Sequence, residues 1–194
     1  MGDALALFHA DAGHQSGNDG LASFLEVHSP EVRPGDPLPG YAYSSSVTGG
    51  EDDPLELLAD EIPPGSQGFI LTARDEDEPP VSGQDPPPPL WAVANISPVD
   101  VDSLSTAKSG VTVVPYHGPA PTDDFIHRVY FRLYSTERVV PRDRLQNWGA
   151  LSRWMGEQKL FSRHYDTGDF SEFLTTAVQH VPKAASEMAV PTAA

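Results

Sequence analysis

Six prolines occupy the 11 positions before Leu90, and Pro30, Pro34, Pro37 and Pro39 interrupt the stretch 29–53. Each proline fixes φ and removes a backbone donor, so neither stretch can run as a helix or a central strand. The chain has 20 prolines and 16 glycines in 194 residues, and much of its first half must be irregular or extended. Regular structure has to come from short apolar segments between these breaks. The length allows one domain with a real core, expected over 1–181, with 74–89 as an acidic Pro-rich loop and 182–194 as a flexible Ala-rich tail.

The apolar segments suggest the elements. ALALF at 3–7 and LASFLEVH at 21–28 read as two strands, QGFILTA at 67–73 and LWAVANIS at 90–97 as buried strands, and VTVVPYH at 111–117 as a strand meeting Pro115 near its end. Asp53-Pro54 signals a helix start before Leu55, Leu57 and Leu58, and Pro63-Pro64-Gly65 ends it. Three helices are expected in the last third. Phe125, Ile126, Val129, Tyr130, Leu133 and Tyr134 form one stripe at helical spacing; Pro141 opens a second helix with Leu145, Trp148, Leu151, Trp154 and Met155. Asp169 and Glu172 resemble a capping box ahead of Phe173, Leu174, Ala177 and Val178. The expectation is therefore α+β: a mixed sheet of about five short strands with three C-terminal helices and long Pro-rich loops.

Charge is divided unevenly. Residues 1–124 carry 21 acids against Arg33, Arg74 and Lys108, whereas 125–194 carry 7 acids against 9 bases, so the parts stand near −18 and +2 and give the net −16. Such a chain repels a polyphosphate backbone, which argues against nucleic acid. No apolar run reaches the roughly 18 residues that span a bilayer. The absence of cysteine excludes disulfides, thiolate metal sites and a cysteine nucleophile. The N-terminus lacks a signal-peptide pattern, so the expected location is cytoplasmic.

Seven of the nine arginines lie within 36 residues that also hold Tyr130, Phe131, Tyr134, Trp148 and Trp154. Arg128, Arg132, Arg138 and Arg142 could clamp a carboxylate, sulfate or phosphate through paired donors, with His127 and Tyr130 as proton carriers. The plainer reading is that these arginines pair with the acidic half and the aromatics are core. His117, just past a strand end, is the best isolated acid-base candidate. His9, Asp11 and His14 offer three ligand types within six residues but no fourth ligand, so no metal is assigned. His164-Tyr165-Asp166 reads as a turn. Neither a nucleophile elbow nor a phosphate-cradling glycine loop is present, and no cofactor is signalled.

YFRLYSTERVVP at 130–141, followed by Leu145 and Gly149-Ala150-Leu151, resembles the N-terminal domain of actinobacterial tetrahydrodipicolinate N-succinyltransferases. LWAVANISPVDVDSL at 90–104 is similar to the strand and link preceding it there. The resemblance implies a detached domain kept as a subunit, because the hexapeptide-repeat prism that binds acyl-CoA has no counterpart. The expected function is a subunit of a biosynthetic enzyme for an amino-acid-derived metabolite. It would bind a small anionic substrate and assist proton transfer, elimination or ring closure, with a second subunit or homo-oligomer as partner. The alternative is a non-catalytic interaction or assembly protein, such as a complex subunit or virion component, whose proline-rich loops drape over a neighbour.

Overall fold

Alternation of apolar and polar positions, more than helical spacing, decides how this chain folds. The computed structural model describes residues 25–78, 88–106, 108–160 and 170–178. Two short strands, β1 (Glu26–His28) and β2 (Leu58–Asp60), form an antiparallel ribbon. Five more form one sheet: β3 (Gly68–Asp75), β4 (Trp91–Ile96), β5 (Val111–Val114), β6 (His127–Thr136) and β7 (Phe170–Ala177). Their order is β5-β4-β3-β6-β7 and every neighbour is antiparallel. The α-helix among the described residues is α1 (Trp148–Glu157), with 3-10 turns at Gly40–Ala42, Pro98–Thr106 and Arg142–Arg144.

The sheet is covered on both faces, which explains why its central strands read as continuous apolar runs. Phe69, Leu71, Trp91, Val93, Val129, Phe131, Leu133 and Phe173 build the larger core on one face, together with Leu38, Leu55, Leu57 and the β1–β2 ribbon. On the other face Ile70, Ala92, Ala94 and Tyr134 meet Trp148, Leu151, Trp154 and Met155 of α1. Successive strand residues point to opposite faces, so one run feeds both cores. The outer edge of β7 is closed by the proline-broken loop: the amides of Gly35 and Leu38 donate to the carbonyls of Leu174 and Thr176 at 2.9 and 2.8 Å. An edge hydrogen-bonded in this way offers no template for another chain.

The stretch after Asp53-Pro54 is extended into β2, not helical, because Leu55 and Leu57 alternate onto one buried face. The amide of Leu57 donates to Ser105 Oγ at 3.1 Å, and its carbonyl accepts from Leu104 at 2.9 Å. The helix expected over Phe125–Tyr134 is β6. His127, Val129, Phe131, Leu133 and Ser135 are buried, while Phe125 and Ile126 stand 75% and 65% exposed. A spacing of four, as from Val129 to Leu133, satisfies both periods, and the β-branched and aromatic content favours the strand.

The helix expected after Asp169 is β7, whose Ser171, Phe173, Thr175 and Ala177 alternate inward. Glu172 serves β6 instead of a cap, by pairing with Arg132. The second expected helix is present as α1, preceded by a 3-10 turn after Pro141 and capped by Asn147, whose Oδ1 accepts from the Ala150 amide at 3.0 Å. The sheet is antiparallel, and among the described residues one C-terminal helix stands where three were expected. The strand at 3–7, the group His9, Asp11 and His14, the turn at 164–166 and the tail at 182–194 lie outside the described residues. Among the described residues no helix is long and apolar enough to cross a membrane.

Phe131 is fully buried at the centre of β6, and its truncation leaves a cavity. Phe131→Ala is expected to cost about 3–5 kcal/mol in denaturant unfolding, against less than about 0.5 kcal/mol for the exposed Val139→Ala. Equal, small losses would contradict the assignment of β6 to the core.

Candidate functional site

At one end of the sheet β3 finishes, β6 begins, and β4 and β5 place Leu90, Tyr116 and His117 beside them. The register aligns Asp75 with Val129 and His127 with Ala177. The amide of Leu90 donates to Ala73 and that of His117 to Leu90, both at 2.8 Å. Tyr116 packs edge-on against Trp91 with ring centroids 5.6 Å apart, and its hydroxyl donates to the Ala42 carbonyl at 2.7 Å.

Residues 42–44 seal this end. A Cβ on Gly118 would lie 2.3 Å from the Ala42 carbonyl oxygen, so glycine alone permits the approach. Asp52 staples the seal, accepting from the Gly118 amide at 2.8 Å, from the Ser45 amide at 2.9 Å and from His117 Nδ1 at 2.9 Å. Burial opposes the charge on Asp52, but these donors hold its pKa below the ordinary carboxylate value.

His127 is the centre of the cluster. Its side chain is 4% exposed, and its Nδ1 lies 2.7 Å from Asp75 Oδ2, a carboxylate 3% exposed. Its Nε2 lies 3.0 Å from Asp123 Oδ1, on a side chain 44% exposed. With a carboxylate at each ring nitrogen, a proton on both nitrogens satisfies both contacts, so the surroundings favour the imidazolium form. Burial alone would lower the His127 pKa; the hydrogen bonds and charges of Asp75 and Asp123 outweigh it and raise the value.

The second oxygen of Asp75 accepts from the amides of Asp77 and Glu78 at 3.0 and 3.1 Å, which turns the chain out of β3. That turn presents Asp77 to Arg128, whose Nε and Nη2 bind it at 2.8 and 2.7 Å while the Arg128 amide adds a third bond at 2.8 Å. The guanidinium hydrogen bonds hold the Asp77 pKa down at about 2.

His117, His127 and the start of β6 share this sheet end, His117 being two-thirds exposed with its Nδ1 2.9 Å from Asp52 Oδ1. Arg128 is matched by Asp77, and Arg132 by Glu76 and Glu172, each at 2.5 Å. Arg132 also lies 4.9 Å from the Tyr130 ring centroid. Tyr130 and Arg132 leave β6 on the face opposite Phe131 by strand alternation. Arg138 and Arg142 follow the far end of β6 and are exposed. At about 3.3 Å per residue, the length of the strand separates them from His127.

The four arginines therefore do not converge on one hollow. Sequence reasoning missed Asp75, Asp77 and Asp123; the Asp-x-Asp pattern directly after a buried strand was the available signal, and it was absorbed into the acidic linker. A cavity of about 660 Å³ elsewhere is lined by Glu31, Tyr41, Glu51, Asp53 and Glu56 among others and contains no residue of the His127 cluster.

A family model described as phosphatidylethanolamine-binding protein matches residues 28–181. A putative homolog of that family from Chlamydia trachomatis is 22% identical, with 79% of this chain and 97% of that chain covered and a TM-score of 0.55. Escherichia coli YbcL, described as a member of the mammalian PEBP family, is 20% identical over 79% of this chain and 98% of its own, with a TM-score of 0.60. No curated protein matches. The family match overturns the resemblance to succinyltransferases, and the Tyr-x-Arg-Leu segment that carried it is strand β6 rather than helix.

The raised pKa of His127 fixes a sign. Stability from the imidazolium is fully present below the unfolded value of about 6.5 and is lost as pH rises through the higher folded value. The melting temperature is expected to fall across that interval, and His127→Asn is expected to remove this component. Parallel melting curves for the two proteins would contradict the charged assignment.

Proposed function

The chain belongs to the phosphatidylethanolamine-binding protein family, and from that premise we propose that it binds the charged end of a phosphoethanolamine-type ligand at the sheet end around His127. The observation that carries this reading is the alternation of charge at one rim: Asp123, the His127 imidazolium, Asp77 and the Arg128 guanidinium. A zwitterion suits such a rim, since its phosphate finds N–H donors and its ammonium finds carboxylates without leaving a buried charge unpaired. Phe125 and Ile126, exposed and adjacent in sequence, give the rim an apolar flank for the glycerol or acyl part.

The expected biosynthetic subunit for an amino-acid-derived metabolite falls with the family match. The role proposed here is binding, which is nearer to the non-catalytic alternative. A small ligand with an anionic group remains the partner. Binding to a second protein is the other form of that alternative, and it is favoured by the pairing of Arg128 and Arg132 with internal carboxylates, which leaves those arginines to hold structure.

Calorimetric titration with phosphoethanolamine tests the proposal. His127→Ala is expected to weaken binding about tenfold or more, the equivalent of one lost charged hydrogen bond. Arg138→Ala, beyond the far end of β6, is expected to leave it unchanged. Absence of saturable binding by the parent protein, or equal loss in both variants, would overturn it.

A further inference from the structure

The two carboxylates on His127 differ in how firmly they are held. Asp75 is 3% exposed and locked by the Asp77 and Glu78 amides, so Nδ1 is permanently engaged. Asp123 is 44% exposed and sits on the connection before β6. Beyond His127, its oxygen accepts from the nearby Phe125 amide at 3.1 Å. The ring itself is almost sealed, so the ring N–H whose partner is not buried is the one at Nε2, the position Asp123 holds.

We propose that Asp123 is the specificity-determining residue of this site: its carboxylate occupies the Nε2 position that a ligand phosphate needs, and yields it to ligands that also carry a cationic group for the released carboxylate. This rests on the headgroup-binding reading of the same site. A tethered carboxylate competes at an effective concentration on the order of millimolar or more, so a bare phosphate has to displace it and then leaves two anions side by side. An ammonium on the same ligand removes that repulsion by pairing with Asp123. The remaining charges at the rim favour the same outcome, since Asp77 and Arg128 already neutralise each other.

Inorganic phosphate and phosphoethanolamine are titrated calorimetrically into the full chain and into Asp123→Asn and Asp123→Glu, at a pH of about 6 where the imidazole is protonated. The parent protein is expected to prefer phosphoethanolamine by about tenfold or more, a factor worth about 1.4 kcal/mol. Asp123→Asn, which keeps an acceptor for Nε2 without the charge, is expected to bind inorganic phosphate about tenfold tighter and to lose the preference. Asp123→Glu is expected to retain it, which a purely structural role would not require. Should the parent bind phosphoethanolamine while Asp123→Asn leaves the ratio of the two affinities unchanged, the role of Asp123 is wrong and the site stands. Should neither ligand bind any of the three proteins, the site reading fails and this inference with it.

Discussion

A carboxylate as enclosed as that of Asp75 has to have its oxygens matched, and His127 Nδ1 on one oxygen and the Asp77 and Glu78 amides on the other match them. The pair joins the end of β3, the central strand of the sheet, to the beginning of its neighbour β6. Because both ring nitrogens are used, the imidazole also fixes the connection carrying Asp123. From Asp75 the same carboxylate sets the turn that delivers Asp77 to Arg128, so one buried ion pair positions every charged group of the rim. Removing either member leaves the other buried and unmatched, which is where a loss of several kcal/mol arises in such pairs (about 3–5 by analogy).

The electrostatics of the rim bear on what it can hold. Four arginines suggested an anion clamp, yet Arg128 and Arg132 are matched by acids and Arg138 and Arg142 lie at the other end of β6. A site whose donors are already satisfied gains little from a bare anion, because each new bond replaces an existing one. Exchange becomes favourable when the ligand brings both signs and re-pairs the groups it separates. The acidic composition of the chain is consistent with this, since few cations are spare and carboxylates are plentiful.

Much of the sheet was legible in the sequence because β3, β4 and β5 are apolar runs bounded by proline or glycine, and the proline-broken loop at 29–53 is irregular apart from its Gly40–Ala42 turn. The helix α1 was legible from the spacing of Trp148, Leu151, Trp154 and Met155. β6 and β7 were not, since their residues fit two periods and the capping-like Asp169 and Glu172 tilted the reading. Which period wins depends on β3, whose edges need partners, and that is a tertiary fact. His127 stood out as a titratable residue, but Asp75 is 52 positions away and its pairing follows only from the β3–β6 register. The acidic run after β3 looked like solvated linker because nothing local marks one of its carboxylates as buried.

His127 sits between two carboxylates, an arrangement that favours the doubly protonated ring. A long-range proton–nitrogen correlation spectrum of histidine-labelled protein reads this directly. Both ring nitrogens of His127 are expected to carry protons at neutral pH, and this signature is expected to be retained above the ordinary histidine pKa. A neutral ring with one bare nitrogen under those conditions would contradict it.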